Sequence, residues 1–324
     1  MISFHEMKDK DYIPQKTQLM MMIGGGFGLA KTLLLNLSDL KKLRIIPPNS
    51  ERYIRPTRPY DLPSFESSMK LCVSEEKYLR PTLHCDHHEP EVIALAHQLG
   101  AYKKTDKEFA EDAFHFVKEN MTLEIIAFNP VSETIRRGTG TCIHLISVFI
   151  ALCRAAGIKA RYKMFAMNMI KAWYDAVVDV DPLVKKWYDS MGYFMIEGEG
   201  EIYIDGEWIV AHVGPKAERQ AAAGIPITKF GEDSLGRWFF AIPGSIMVME
   251  SIPFGLAGAI RGLSKIAPGS MERVNISIQK QIASGKKIIA DAGGVESYDK
   301  NAREKMEIKQ PTLQLQTRDE IVFS

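Results

Sequence analysis

The feature that most constrains this chain is the stretch Arg136-Arg137-Gly138-Thr139-Gly140-Thr141-Cys142-Ile143-His144, followed by an apolar run to Gly157. Gly138 and Gly140 permit positive φ and close backbone approach. Thr141 is placed to cap a helix, because its hydroxyl can accept from a free N–H of the first turn. From Ile143 to Leu152 the run is apolar on every helical face, broken only by His144 and Ser147. A helix apolar all round is buried on all sides. Gly157 should end it.

A thiol at a helix N-terminus feels the positive end of the helix dipole, which favours the thiolate. That suits a cysteine nucleophile. A free cysteine is more often just a packed side chain, so the glycine-rich approach to Cys142 is what raises it above Cys72, Cys85 and Cys153.

The Arg-Gly-Thr-Gly-Thr-Cys turn, the apolar helix and the run Leu152-Cys153-Arg154-Ala155-Ala156-Gly157-Ile158-Lys159-Ala160-Arg161 together resemble the core of the transglutaminase-like superfamily. The resemblance spans residues 78 to 238. It implies an α+β, papain-like fold: a central cysteine-bearing helix packed on an antiparallel sheet, with a helical N-terminal subdomain. It also implies three parts, a 1–77 extension, a 78–238 core and a 239–324 extension.

Four cysteines in 324 residues form no disulfide framework, which points to a reducing, cytoplasmic setting. A composition 46% hydrophobic and 25% charged can bury a full core. The formal net charge of +1 supplies no field for nucleic acid. Charged residues precede any apolar run, so no secretory signal is expected. Two stretches, Leu19 to Leu37 and Phe239 to Leu263, approach spanning length. Both are broken by glycine and carry a charge mid-segment. They are expected as buried or interfacial segments, open to peripheral membrane or protein contact.

Gly24-Gly25-Gly26-Phe27-Gly28-Leu29-Ala30-Lys31-Thr32 fails as a phosphate loop, since Ala30 stands where a glycine should precede the lysine. It reads as a flexible turn before a helix from Leu33 to Leu43. Pro47, Pro48, Pro56, Pro59 and Pro63 mark an extended connector. The cluster His84-Cys85-Asp86-His87-His88-Glu89 is dense in ligand atoms, but its spacing suits no zinc tetrahedron. Similar segments of the superfamily open the first core helix, which implies a capping role. Val92, Leu95, Ala96 and Leu99 repeat at helical spacing, as do Phe109, Ala113, Phe116 and Val117. Met167 to Ser190, rich in aromatics, reads as a helical insertion that either covers the site's mouth or simply packs. Asp205-Gly206 joins two β-runs as a hairpin. Pro215 to Ala223 should be a short helix, Asp233 a turn cap, and Val274 to Ile289 an amphipathic helix. The end from Asn301 is charged and expected to be mobile.

In the superfamily this hairpin carries the remainder of a catalytic triad. The resemblance puts the histidine position four residues before Glu201 and the acid position four after Trp208. Here those positions hold Glu197 and His212. A carboxylate at Glu197 would repel a thiolate. Three readings follow. His212 lies against Cys142 and Glu197 orients it, an exchanged triad. His144 serves instead, although two residues along a helix it points elsewhere. Or catalysis is lost.

The expectation is a cysteine-dependent enzyme that cleaves or exchanges an amide through a thioester on Cys142. Its substrate would be a peptide or small amide, with backbone N–H groups at the helix start facing the oxyanion. His212 is the candidate base and Glu197 its partner. The chemistry calls for no cofactor and no metal. The rival is a non-catalytic module whose apolar segments bind a partner or a membrane surface.

Overall fold

The computed structural model describes residues 3–14, 16–38, 50–191 and 194–305. Its centre is helix α6, Cys142–Ala155, whose residues from Ile143 to Ala155 are all buried. The elements before it are α1 (Phe4–Asp9), α2 (Lys16–Leu35), α3 (Pro90–Leu99), α4 (Asp106–Asn120), β1 (Thr122–Leu123), α5 (Val131–Arg137) and β2 (Thr139–Gly140). After it come β3 (Ala160–Asn168), α7 (Pro182–Met191), β4 (Phe194–Ile204), β5 (Glu207–Ala211) and α8 (Ala217–Ala222). The chain then continues through β6 (Phe240–Ala241), β7 (Met247–Met249), α9 (Phe254–Ile266), α10 (Pro268–Asp291) and α11 (Val295–Lys305).

The α+β expectation holds. Helices α3, α4 and α5 pack against α6, and α6 packs on an antiparallel sheet ordered β5-β4-β3, with β6 and β7 sharing the far edge of β3. Local chemistry sets these boundaries. Thr105 and Glu108 form a reciprocal cap at the start of α4. Pro90 occupies the first turn of α3, where its missing N–H costs nothing, and Gly100 closes that helix at φ 97°. The Asp205-Gly206 hairpin forms as read, both residues at positive φ (52° and 89°).

The sequence Glu197-Gly198-Glu199-Gly200-Glu201 on β4 separates the two faces of the sheet, because side chains alternate along a strand. A Cβ at Gly200 would lie 2.7 Å from Phe149 of α6, so glycine is what lets helix and sheet approach. Glu199 and Glu201 point to the opposite face. There Glu201 accepts from Arg161 at 2.7 Å, and Lys163 lies 3.2 Å from Glu199.

Three expectations change. The glycine run 24–28 is not a turn but lies within α2. Gly25 is buried and its carbonyl accepts from Trp187 of α7 at 3.2 Å, whereas a Cβ at Gly26 would meet open space. The expected helix to Leu43 runs into residues outside the described ones. Phe239 to Leu263 is not one segment: its first half forms β6 and β7 in the core and its second half begins α9. Residues 301–305 belong to α11, where Arg303 bonds Glu232 and Asp299; residues 306–324 lie outside the described part. Among the described residues, no helix is long and apolar enough to cross a membrane.

Candidate active site

Thr141 caps α6 as read, its hydroxyl accepting from the His144 N–H. Cys142 therefore sits at the first helical position. The Ile143 N–H reaches its sulfur, and the thiol is hydrogen-bonded to Glu197. Burial first, and then the Glu197 charge and hydrogen bond, push the Cys142 thiol well above its ordinary value. This reverses the expectation drawn from the helix dipole. A dipole contributes up to about 2 kcal/mol. Desolvation together with an adjacent carboxylate exceeds that here.

Glu197 arrives on β4 opposite Phe165 of β3. Gly214 packs beside it, where a Cβ would stand in ordinary contact with Glu197 Oε1 at 3.4 Å and the Cys142 Cβ at 3.5 Å. His212 follows β5 and is fully buried. Its Nδ1 is 2.9 Å from Ser234 Oγ and 3.6 Å from Glu199 Oε1. Its Nε2 has no hydrogen-bond partner among the described residues and lies 3.9 Å from Glu197 Oε1, and the ring stands edge-on to Phe239 at 4.3 Å.

The structure thus brings together all three residues picked from the sequence, with the positions of two interchanged. The sequence reading set His212 against the sulfur with Glu197 behind it. The group hydrogen-bonded to the sulfur is Glu197, and His212 stands next to that carboxylate. His144 has another occupation. Its Nδ1 contacts Thr141 Oγ1 at 2.8 Å, its Nε2 accepts from the Asn129 N–H at 3.1 Å, and its ring stacks on Phe128. Burial lowers its pKa to about 3, so it stays neutral.

Cys142 and Glu197 line a cavity of about 50 Å³ with Met169, Trp173, Val177 and Arg219. Met169, Trp173 and Val177 belong to the aromatic insertion, which therefore supplies a wall of this cavity. Arg219 was not legible in the sequence. It sits on α8, is 6% exposed, and donates from Nε to Gln281 Oε1 at 2.9 Å. Its guanidinium lies 4.7 Å over the Trp173 ring. Among the described residues no carboxylate comes within ion-pairing distance of it. Burial lowers its pKa to about 10, which leaves it charged near neutrality, and the charges of Glu197 and Cys142 oppose that fall. The indole Nε1 of Trp173 is buried with no partner among the described residues.

Ser234 and Glu199 also went unread. The period of two in Glu197-Gly198-Glu199 is the signal that could have placed Glu199 beside His212. Next to Ser234, Asp233 closes a turn as expected, accepting from the Leu235 N–H at 3.0 Å. Beneath the loop after β5, the buried Lys118 donates to Pro215 O at 2.8 Å and Gln220 Oε1 at 3.1 Å. Burial brings its pKa down to about 7.

The His84–Glu89 cluster has local roles. His87 Nε2 meets Cys72 O at 3.1 Å, Asp86 accepts from the His88 N–H at 2.9 Å, and His84 stands edge-on to Phe128. Glu89 precedes α3 and makes no side-chain cap bond. Among the described residues no three His, Cys, Asp or Glu side chains converge as metal ligands.

Residues 93–211 match the family model of the transglutaminase-like superfamily. No curated protein matches the chain significantly. Among solved structures, a chain from Cytophaga hutchinsonii described as a "Putative Cysteine Protease" is similar at 21% identity with a TM-score of 0.31. That likeness covers 42% of this chain and 40% of the other, so the two share less than half of either length.

Proposed function

We propose, from the premise that residues 93–211 form a transglutaminase-like core, that this protein processes amides through a thioester on Cys142, with Glu197 as the proton carrier. The observation that supports this most directly is the hydrogen bond between the Cys142 thiol and Glu197 beside a cavity that also exposes Arg219.

The thiol rests protonated and donates to the carboxylate. On attack the sulfur–carbon bond forms while the thiol proton passes to Glu197, as in general base catalysis. The intermediate then collapses, the carbon–nitrogen bond breaks, and the leaving amine takes that proton from Glu197. Water or a second amine repeats the sequence on the thioester and returns the proton to sulfur. His212, 3.9 Å from Glu197 Oε1 and pinned by Ser234, is a positioning residue for the carboxylate. A cavity of about 50 Å³ admits the tip of a side chain or a short acyl group, which favours a peptide or small amide as substrate.

The test uses 4-nitrophenyl acetate as acyl donor and mass spectrometry of the Cys142 peptide. Acetylation of Cys142 is expected, slowed about 10²- to 10⁴-fold in Glu197→Gln. Absence of acetylation in the wild-type protein would overturn the reading.

Two observations favour a second reading, a transglutaminase-like module used for binding. The thiol is raised rather than lowered, and α2 leaves Leu19, Ile23, Phe27, Leu34 and Leu35 exposed. An unreactive Cys142, together with co-sedimentation of the protein with liposomes that is lost in Phe27→Asp, would support that module and its membrane contact.

A further inference from the structure

We infer that Arg219 is a catalytic residue: its guanidinium is the donor that receives the oxyanion formed when Cys142 attacks a carbonyl. This rests on the thioester reading above and names the group that reading leaves unassigned.

The usual donors at a helix start are already committed in part. The Ile143 N–H is turned to the sulfur, and the His144 N–H is taken by the Thr141 hydroxyl. Charge developing over the first turn of α6 can therefore draw on a further donor outside the helix. Arg219 faces the same cavity from α8.

Three features suit it to the task. It is almost fully buried, so its field is little screened by water. It is held in place on one edge by Gln281 and on its face by the Trp173 ring, which fixes the plane of the guanidinium. No carboxylate among the described residues pairs with it directly, so its terminal N–H groups are not consumed by an ion pair. A buried cation without a direct partner is costly and is retained where it meets a negative charge.

Charge bookkeeping across the step supports the same assignment. Before attack the cavity holds one anion, Glu197, and one cation, Arg219. During attack the proton moves from sulfur to Glu197, which becomes neutral, and the negative charge appears on the former carbonyl oxygen. The cavity keeps one anion and one cation throughout, and the anion moves from Glu197 to the oxygen. A preorganised donor aimed at the place where charge develops is the larger part of many rate enhancements.

The test compares two reactions of the same sulfur. Acetylation by 4-nitrophenyl acetate passes through an oxyanion; alkylation by iodoacetamide is a displacement that does not. In Arg219→Gln, acetylation of Cys142 should fall about 100-fold relative to alkylation. Arg219→Lys should restore part of that loss. Added guanidinium ion should restore acetylation in Arg219→Ala, which also serves should the Gln variant fold poorly. Equal slowing of both reactions would show that Arg219 only tunes the thiol or supports the fold, and would overturn the inference while leaving the thioester reading intact. No acetylation in the wild-type protein would overturn both.

Discussion

Cys142 carries opposing influences at the residue scale. Its helix start and the nearby guanidinium favour the thiolate, while burial and Glu197 favour the thiol, and the second pair prevails. The nucleophilic form is therefore scarcer at pH 7 than for a free thiol of pKa ~8.5. The alkylation rate of Cys142 by iodoacetamide should rise tenfold per pH unit through pH ~9 with no plateau there. A plateau at or below the free-thiol value would contradict the geometry. Glu197→Gln removes the carboxylate charge that holds the thiol up, so the pKa falls. Alkylation at pH 7 should then accelerate, about tenfold for each unit of fall, while acetylation slows. Opposite changes from one substitution separate a base from a mere neighbour. Measuring both rates on labelled protein checks this.

At the scale of elements, the site depends on a close crossing far from the sulfur. Gly285 lies within the 24-residue helix α10, and a Cβ there would overlap the backbone carbonyl of Glu218 in α8. Glu218 precedes Arg219, whose Nε partner Gln281 lies one turn before Gly285 on α10. The glycine thus sets how deeply the guanidinium is inserted. Gly285→Ala cannot be absorbed by a side-chain rotation, because the obstacle is main chain. It should cost about 3 kcal/mol in urea unfolding and should depress acetylation more than alkylation. Unchanged stability would mean that α8 and α10 are farther apart in solution. In the sequence, Ser284-Gly285-Lys286 offered no sign of this. It reads as a weak spot in an amphipathic helix, because the partner backbone is 67 residues away along the chain.

At the scale of the whole molecule, distant segments meet at one buried acid. Glu250, fully buried after β7, accepts from Arg80 at 2.8 Å and from the Tyr78 N–H at 2.7 Å. Its own N–H donates to Asp11 at 2.9 Å. Arg154, at the end of α6 and fully buried, donates to the carbonyls of Ala160, Arg80 and Glu250. The N-terminal segment, the cysteine helix and the sheet edge are joined through these two side chains. Glu250→Gln would leave Arg80 with only the half-exposed Asp9 as an ionic partner, so it should cost about 2 kcal/mol, read as a lowered urea midpoint at pH 7. A loss under about 1 kcal/mol, the worth of a surface pair, would show that the cluster is wet.

Residues 136 to 161 alone were enough to indicate a capped, wholly buried helix led by a cysteine, followed by a strand, since capping, periodicity and glycine stops are local. The Asp205-Gly206 hairpin was equally plain, because turn chemistry resides in two residues. The resemblance to the transglutaminase-like superfamily, carried along that hairpin, also implied Glu197 and His212 near the sulfur. Which of the two touches the sulfur depends on where α6 starts relative to the register of β4, and only packing decides that. Arg219 reaches the cavity because Gly285 lets α8 settle onto α10, and the pKa of Cys142 depends on how much water the assembled walls exclude. Burial and charge pairing belong to the folded chain as a whole, so the sequence settled where Cys142 sits while the tertiary structure settled its electrostatics.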